Sequence, residues 1–214
     1  MSKMTAARKP GQARERLIRA AYNLFTKKGI NPVGIDAILA KSGCAKASLY
    51  ANFKSKDDLA LAYLDMREEI WTRGWLETEI HRRASSPEAR LLAIFDIYDE
   101  WFQRKSFEGC VFVNVLLEMR ADGRMREAAG DHLAKLRSIV ESLAREAGLP
   151  RPKDLARVWN VLMKGAVISA CEGDRDAALT AKWMAQLALQ SWGGNGAYVR
   201  RPPAGTTAGM PRYR

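Results

Sequence analysis

Residues 34–59 constrain the fold of this chain most strongly, because their sequence, GIDAILAKSGCAKASLYANFKSKDDL, places turn signals between short apolar repeats. Ser42-Gly43 lies between two repeats, and glycine readily adopts the positive φ that a tight turn between helices requires. Ser55, with Asp58 three residues later, forms a capping-box-like start to a further helix. The apolar residues at helical spacing are Ile35, Ile38 and Leu39 before the turn and Leu49 and Phe53 after it. The segment is thus predicted to form a helix-turn-helix that leads into a longer helix.

Positive charge is concentrated in the same part of the chain. The formal net charge is +11, and residues 1–60 contain twelve Lys and Arg against four Asp and Glu. Residues 193–214 add four Arg and no acid, so the long middle part is close to neutral. A basic segment on a neutral body is typical of a protein that binds a polyanion at one end. With the helix-turn-helix, this predicts double-stranded DNA as the partner, although charge alone leaves open a merely soluble basic surface.

The third helix is predicted to lie in a DNA groove. If Leu49 and Phe53 face the core, helical geometry turns the polar residues between them outward. Lysine and hydroxyl side chains position a helix on phosphates, whereas an asparagine amide can bond to a base edge, usually of adenine. The predicted DNA-binding residues are Lys46, Ala47, Ser48, Tyr50, Asn52, Lys54 and Lys56, with Asn52 as the base reader. An ordinary helical hairpin with a solvated polar face is the alternative.

Helical spacing of apolar residues recurs along most of the chain, and no alternating run is long enough to predict a sheet. The predicted helices are Ala13–Lys28, one for each side of the Ser42-Gly43 turn, a fourth with a buried stripe from Leu59 to Ile70, a fifth from Ser86-Pro87, Cys110–Met119, one ending near Ala147, Pro152–Cys171 and Asp174–Trp192. The predicted fold class is all-α, with an N-terminal three-helix domain joined by a long helix to a C-terminal helical body. The predicted bounds are 1–12 for a flexible basic arm, 13–58 for the helix-turn-helix domain, 59–192 for the body and 193–214 for a disordered basic tail.

Short sequence matches within residues 13–62 identify a family. They are Leu24-Phe25 with Gly29, Ile35-Asp36-Ala37-Ile38, Ser42-Gly43, Lys46, Ser48-Leu49-Tyr50, Phe53 and Ser55-Lys56-Asp57-Asp58-Leu59. In these residues the chain resembles the TetR family of bacterial one-component transcriptional regulators. The resemblance implies that the body binds an effector and that two copies pair through their last two helices. It implies a repressor that binds a palindromic operator as a homodimer and is released by a small molecule, with activation as the open alternative.

Two helix starts depart from the pattern of that family. Val33 and Gly34 stand where Thr or Ser usually precedes the second helix, and Ala45 stands where Ser is common. Both helices are therefore expected to lack a side-chain cap. Cys44 occupies a position where Val is usual, and we expect it to pack as a small apolar residue.

Pairing of two copies also has a physical reason, since one helix reads only a few base pairs and two heads about 34–36 Å apart multiply the specificity. We expect the last two helices to pair through faces suited to close packing. These faces are Leu155, Val158, Trp159, Leu162, Ala166 and Ala170 on one helix and Ala177, Ala181, Met184, Ala188 and Ser191 on the other. Burial of these faces within one chain is the alternative that periodicity leaves open.

Aromatic residues of the body are candidate walls of an apolar effector pocket. The stretch Phe107–Asn114 resembles a GC-x-F-x-N stretch found in one branch of the family. Asn114 is polar within an apolar helix and is expected to need a partner, either a neighbouring backbone group or a ligand. The candidate ligand-binding residues are Trp71, Trp101, Phe112, Asn114, Trp159 and Met163, and plain core positions are the alternative for them.

Cys110 follows a glycine at a predicted helix N-terminus, where the pKa of a thiol would be lowered. A redox- or electrophile-responsive regulator acting through Cys110 is therefore an alternative function. An inert buried cysteine is the alternative role for this residue.

Other function classes receive little support from the sequence. Three widely spaced cysteines and two lone histidines predict no metal site and no catalytic set, and no cofactor motif occurs. An enzyme is therefore not expected, although an all-α carrier or enzyme with an incidental basic head stays open. Because no signal-peptide pattern and no run of ~18 apolar residues occur, we expect a cytoplasmic, nucleoid-associated protein with no membrane contact.

Overall fold

The computed structural model describes residues 10–119 and 123–192, and this described part is all-helical, as predicted. The helices are α1 Pro10–Lys28, α2 Ile35–Ser42, α3 Lys46–Asn52, α4 Lys56–Glu68, the π-helical segment Glu69–Glu77, α5 Thr78–Arg83, α6 Pro87–Phe102, α7 Val111–Glu118, α8 Arg124–Glu146, α9 Pro152–Cys171 and α10 Ala177–Trp192. None of the helices in this part is long and apolar enough to cross a membrane.

Helix α1 begins earlier than predicted. It starts at Pro10 and not at Ala13, because proline is well suited to a first helical turn. Part of the predicted flexible arm 1–12 is therefore helical, and residues 1–9 of that arm lie outside the described residues. The predicted disordered tail, 193–214, also lies outside them.

The N-terminal head packs α1 against α2, α3 and α4. Leu17, Phe25, Ile38 and Leu49 are almost fully buried in its core. Phe53, predicted on the inward side of α3, comes one residue after the end of that helix but is still buried. These contacts fix α3 on the head and leave its opposite side free.

The linking helix changes its geometry halfway, and one prediction made for it is wrong. The chain passes from α4 into the π-helical segment at Glu69, where each turn takes more residues. Buried positions then recur every four residues, at Glu68, Thr72, Leu76 and Ile80. Ile70, predicted to end the buried stripe, lies two residues after buried Glu68, on the opposite side of the helix, and is 49% exposed.

The body packs α8 and α10 on α9, and α6 against α8 and α10. Helix α7 lies between α8 and the head, so that Phe112 and Val115 join the same apolar cluster as Leu17 and Phe25. The partly buried Leu136 contacts both this cluster and the main cluster of the body. The head and the body are thus joined by continuous packing through α4, α7 and α8.

Candidate nucleic-acid interface and effector cavity

The outward side of α3 carries the side chains that were predicted to meet DNA. Lys46, Ala47 and Tyr50 are exposed, and Lys54 is exposed in the loop after the helix. Leu49 is fully buried and holds the helix on the head. The arrangement presents cationic and hydroxyl donors on a short helix whose other side is fixed.

Asn52 is turned partly back onto its own helix. Its Nδ2 donates a hydrogen bond to the carbonyl oxygen of Ser48 over 2.7 Å, and both residues are half-buried. This contact leaves Oδ1 and the second Nδ2 hydrogen for a base edge. The bond to Ser48 also restricts the rotamer of Asn52 before any DNA is bound.

Lys56, also predicted to contact DNA, makes a hydrogen bond within the head. Its Nζ donates a hydrogen bond to the carbonyl oxygen of Asn31 over 3.1 Å, which ties the start of α4 to the loop before α2. An ammonium group has three donors, so this contact does not use the whole group.

The turn between α2 and α3 is held by Gly43 and Arg16. Gly43 has φ +60°, and its amide donates to the carbonyl oxygen of Leu39 over 2.9 Å. Arg16 of α1 donates to the carbonyl oxygen of Ser42. A Cβ atom at Gly43 would stand 2.8 Å from Nη2 at the end of the Arg16 side chain, which could shift, so it is the positive φ that favours glycine here.

The helix starts follow the expected cap pattern. Gly34 and Ala45, the residues before α2 and α3, make no side-chain cap bond. Ser55 caps α4, since its Oγ accepts a hydrogen bond from the amide of Asp58 over 3.1 Å. Cys44 is half-buried with its Sγ 3.9 Å from the carbonyl oxygen of Ala13, which fits the expected packing role.

Three of the candidate ligand-binding residues come together in the body. Trp71, Trp101 and Phe112 line one cavity with Tyr98 and Cys110. The ring centroids of Trp71 and Trp101 are 4.3 Å apart in an edge-to-face contact. The cavity volume is about 30 Å³, which holds a water molecule or two but no larger ligand unless the walls move.

Met163 lines an adjoining cavity of about 20 Å³. Tyr98, Cys110 and Leu136 line both cavities, so only side chains separate them. The polar lining of this second cavity was not predicted from the sequence, and it includes Arg137 of α8 and Asn160 and Lys164 of α9. Lys164 interrupts the apolar run of α9, and that interruption was the available signal.

Two candidates lie elsewhere. Trp159 is fully buried, and its Nε1 donates to the carbonyl oxygen of Leu91 over 3.0 Å, so it is a core residue with a satisfied donor. Asn114 is exposed, because Phe112 and Val115 take the inward positions of α7. It borders a separate cleft between α7 and the C-terminal end of α1.

Cys110 does not have the environment that was expected at a helix N-terminus. Burial raises the pKa of its thiol, and the opposing contributions from backbone hydrogen bonds and from Arg67 are smaller. A neutral thiol is a poor nucleophile. The lowered thiol pKa predicted for Cys110 is therefore wrong.

Arg67 connects the cavity to the head. Its Nη1 donates a hydrogen bond to the hydroxyl of Tyr22 in α1 over 2.7 Å. Its guanidinium group also lies 6.0 Å from the ring centroid of Trp71, which lines the first cavity. One side chain of α4 therefore contacts both a head helix and a cavity wall.

The predicted pairing faces of α9 and α10 are mostly buried within the chain. Leu155, Ala166 and Ala170 of α9 and Ala177 and Ala181 of α10 pack inside the body, so the alternative interpretation holds for them. Met184 of the predicted face is instead exposed, and with apolar residues outside the predicted faces it forms an outward stripe on the same two helices. Its members are Val161, Ile168, Leu179, Trp183, Met184 and Leu187, of which Val161 is 68% and Trp183 58% exposed.

Comparisons with known proteins agree on a single family. Residues 17–63 match the family described as bacterial regulatory proteins, tetR family. The chain is 33% identical over 173 residues to the transcriptional regulator AcuR of Cereibacter sphaeroides, covering 80% of this chain and 72% of AcuR. It is 32% identical over 139 residues to an uncharacterized HTH-type transcriptional regulator of Lactococcus lactis subsp. lactis, covering 64% of this chain and 70% of that protein. The structure of SCO4454, a TetR-family transcriptional regulator from Streptomyces coelicolor, superposes with a TM-score of 0.74 at 26% identity, covering 86% of this chain and 97% of that chain.

Proposed function

Since the chain belongs to the TetR family of bacterial transcriptional regulators, and so to a family of regulators and not of enzymes, we propose that it is a repressor that binds a palindromic operator as a homodimer. A small molecule bound in the body releases it from the operator. The observation that carries this proposal is the outward face of α3, with cationic and hydroxyl side chains on a helix that the buried Leu49 anchors.

The side chains on the outward face of α3 have different roles in DNA recognition. Lys46, Tyr50 and Lys54 donate to phosphates on either side of the groove and set the position of the helix. Exposed Ala47 lets the helix come close to the base edges, and Asn52 reads a base with the part of its amide that the Ser48 bond leaves free. Because one such helix contacts few base pairs, specificity at the level of a genome requires a second head.

The exposed stripe on α9 and α10 supplies the contact between two copies. Large apolar side chains such as Val161 and Trp183 are costly to leave in water when they are contiguous on one face. Pairing of this stripe with its copy around a twofold axis buries both stripes at once. A twofold dimer presents its two α3 helices to inverted half-sites, which explains why the operator is palindromic.

The body cavities provide a route from ligand to DNA. Both are too small for a ligand as they stand, so a ligand must displace their walls. The wall residue Trp71 lies beside Arg67, which is bonded to Tyr22 of the head. Displacement of that wall therefore changes the orientation of the head relative to the body. This changes the spacing of the two α3 helices in the dimer and lowers the affinity for the operator.

No observation favours the alternatives. Cys110 is half-buried, and desolvation raises the pKa of its thiol, which disfavours a sensor that depends on a resting thiolate. A carrier or enzyme with an incidental basic head does not explain the fixed donor face of α3. A repressor acts where the chromosome is, so we place the protein in the cytoplasm with the nucleoid.

A mobility shift on the DNA upstream of the protein's own gene tests the proposal. We expect a retarded band in the nanomolar range that weakens steeply as salt rises. Addition of single metabolites and drugs should identify a compound that restores free DNA. Equal affinity for that DNA and for an unrelated duplex would contradict specific operator binding.

A further inference from the structure

The second cavity contains two cationic groups with no acid beside them. Arg137 of α8 and Lys164 of α9 both line it, together with the amide of Asn160. Neither cation forms an ion pair or hydrogen bond with any residue in the described ranges 10–119 and 123–192. Both side chains are half-buried, so their charges are partly removed from water.

The surroundings make this pair unfavourable without an anion. Burial lowers the pKa of Lys164, and the positive charge of Arg137 lowers it further. None of the residues that line either cavity is an aspartate or glutamate. A bound anion would remove the repulsion between the two cations and satisfy their donors.

The hydroxyl of Tyr98 adds a hydrogen-bond donor to the lining of both cavities. Tyr98 is only 4% exposed, and its hydroxyl has no hydrogen-bond partner within the described part of the chain. Burial raises the pKa of Tyr98, so the hydroxyl keeps its proton and is a donor. Tyr98 lines both cavities, so this donor is available to a ligand in either of them.

The remaining walls are mostly apolar, apart from Arg67, which is hydrogen-bonded to Tyr22, and Thr72 in the first cavity. Val140 and Met163 line the second cavity, and Leu136 lies between it and the first cavity with its aromatic wall of Trp71 and Trp101. Rotation of Leu136 would join the two spaces into one chamber with a cationic end and an aromatic end. Such a chamber fits a molecule with an anionic group at one end and an apolar group at the other.

We propose that the ligand of this chamber is a small organic acid whose anionic group lies between Arg137 and Lys164. The anion accepts a hydrogen bond from the hydroxyl of Tyr98, and the apolar part of the acid displaces Leu136 toward Trp71. The regulatory meaning of this site rests on the proposed function, since release of DNA requires an operator complex. Binding of the acid itself does not require DNA.

Calorimetric titration of the full chain without DNA tests the site. The probes are the sodium salts of acetate, butyrate, hexanoate, benzoate and cinnamate, each compared with its uncharged amide. We expect at least one acid to bind in the micromolar to low millimolar range and its amide to bind about tenfold or more weakly. The variants Lys164→Met and Arg137→Met should each weaken that acid about tenfold or more, and Tyr98→Phe should weaken it less.

Matched controls separate loss of the site from loss of folding. Lys153→Met removes an exposed lysine from the same helix α9 and should bind the acid like the parent protein. Thermal melting should show that Lys164→Met is at least as stable as the parent, because it removes an unpaired charge from a partly buried place. Tyr98→Phe keeps the ring and serves as the second variant if a cation variant does not fold.

Several outcomes would overturn the proposal. Amides that bind as well as their acids would show a site for neutral ligands, and unchanged binding in Lys164→Met and Arg137→Met would place the acid elsewhere. Failure of every acid to bind at about 10 mM would exclude this ligand class. If the protein binds an acid but shifts no operator DNA, the proposed function is refuted and the acid site stands. If it binds the operator but no acid, the acid site is refuted and the proposed function stands.

Discussion

The guanidinium group of Arg67 donates a hydrogen bond to the hydroxyl of Tyr22 over 2.7 Å. This contact joins the end of α4, beside the body cavities, to the middle of α1 in the head. The same guanidinium group lies over the rings of Tyr22 and Trp71, at 5.7 and 6.0 Å from their centroids. The linking helix is therefore coupled to the head by a polar contact in addition to apolar packing.

Removal of the Tyr22 hydroxyl should weaken this coupling. In Tyr22→Phe the ring stays and the hydrogen bond to a charged group is lost, so we expect the free energy of unfolding to fall by about 1–2 kcal/mol. Urea denaturation followed by circular dichroism measures this change. Tyr50→Phe is the matched control, because Tyr50 is exposed and should change stability by less than about 0.5 kcal/mol. Equal effects of the two variants would contradict the account of Arg67.

The missing cap of α2 should be open to repair. Gly34 has φ −79° and ψ 159°, an extended conformation that serine adopts without strain, and no atom lies within 4 Å of a Cβ atom placed there. Gly34→Ser should raise the free energy of unfolding by about 0.5–1 kcal/mol, since a hydroxyl can accept from the free amides of the first turn. Gly34→Ala supplies the Cβ atom without the hydroxyl. If thermal melts of the two variants coincide, the gain does not come from a cap.

Stability should depend on pH through His132. Its side chain is buried against Phe112, with Nδ1 lacking a partner among the described residues, and burial followed by the charge of Lys135 lowers its pKa. The unfolded chain therefore binds the proton more readily than the folded one. The contribution of neutral His132 to stability is complete above the ordinary pKa of 6.5 and declines as the pH falls from there toward the lowered value.

Urea denaturation at about pH 7.5 and about pH 5.5 measures this decline. The loss of stability on acidification should be smaller in His132→Gln, which cannot titrate. His81→Gln is the control, because His81 is exposed and the chain has only these two histidines. An acid-induced loss in His132→Gln as large as that in the parent protein would assign the effect to other groups.

The exposed stripe on α9 and α10 should hold two copies together. Trp183→Glu places a charge within it, and sedimentation velocity should show a shift from dimer to monomer. Loss of the second head should then weaken operator binding about a hundredfold or more. Leu117→Glu is the control, since Leu117 is 76% exposed on α7, away from the stripe. A monomeric parent protein, or a Trp183→Glu variant that stays dimeric, would contradict this role for the stripe.

The sequence was sufficient where local spacing and turn chemistry decide the structure. Ser42-Gly43 and the buried Leu49 fix the helix-turn-helix, and the span predicted for α9, Pro152–Cys171, is the span observed. The sequence was insufficient where packing between helices decides the structure. Ile70 is exposed because packing of the linking helix buries Glu68 and Thr72, and the π-helical segment that follows Glu68 is not contained in periodicity rules for regular helices.

For the candidate sites, too, local spacing predicted some features and packing between helices decided the others. The exposed donors of α3 follow from the positions of the apolar residues Leu49 and Phe53, which hold this helix on the head. The cavity lining does not, because Tyr98, Arg137 and Lys164 come from three helices that are far apart in the sequence. For the same reason, spacing could not show that Ala166 and Ala181 face the interior and that Trp183 faces outward.

The central claim, that two α3 helices of a dimer read a palindromic operator, is tested most directly by selection of bound sequences from a pool of random duplexes. We expect the parent protein to enrich one inverted repeat whose half-site centres lie one DNA turn, about 34–36 Å, or a multiple of it apart. Asn52→Ala should change the preferred base at one position of each half-site, whereas Lys54→Ala should enrich the same repeat with lower affinity. Enrichment of no sequence, or of a single half-site without its inverted copy, would contradict the claim.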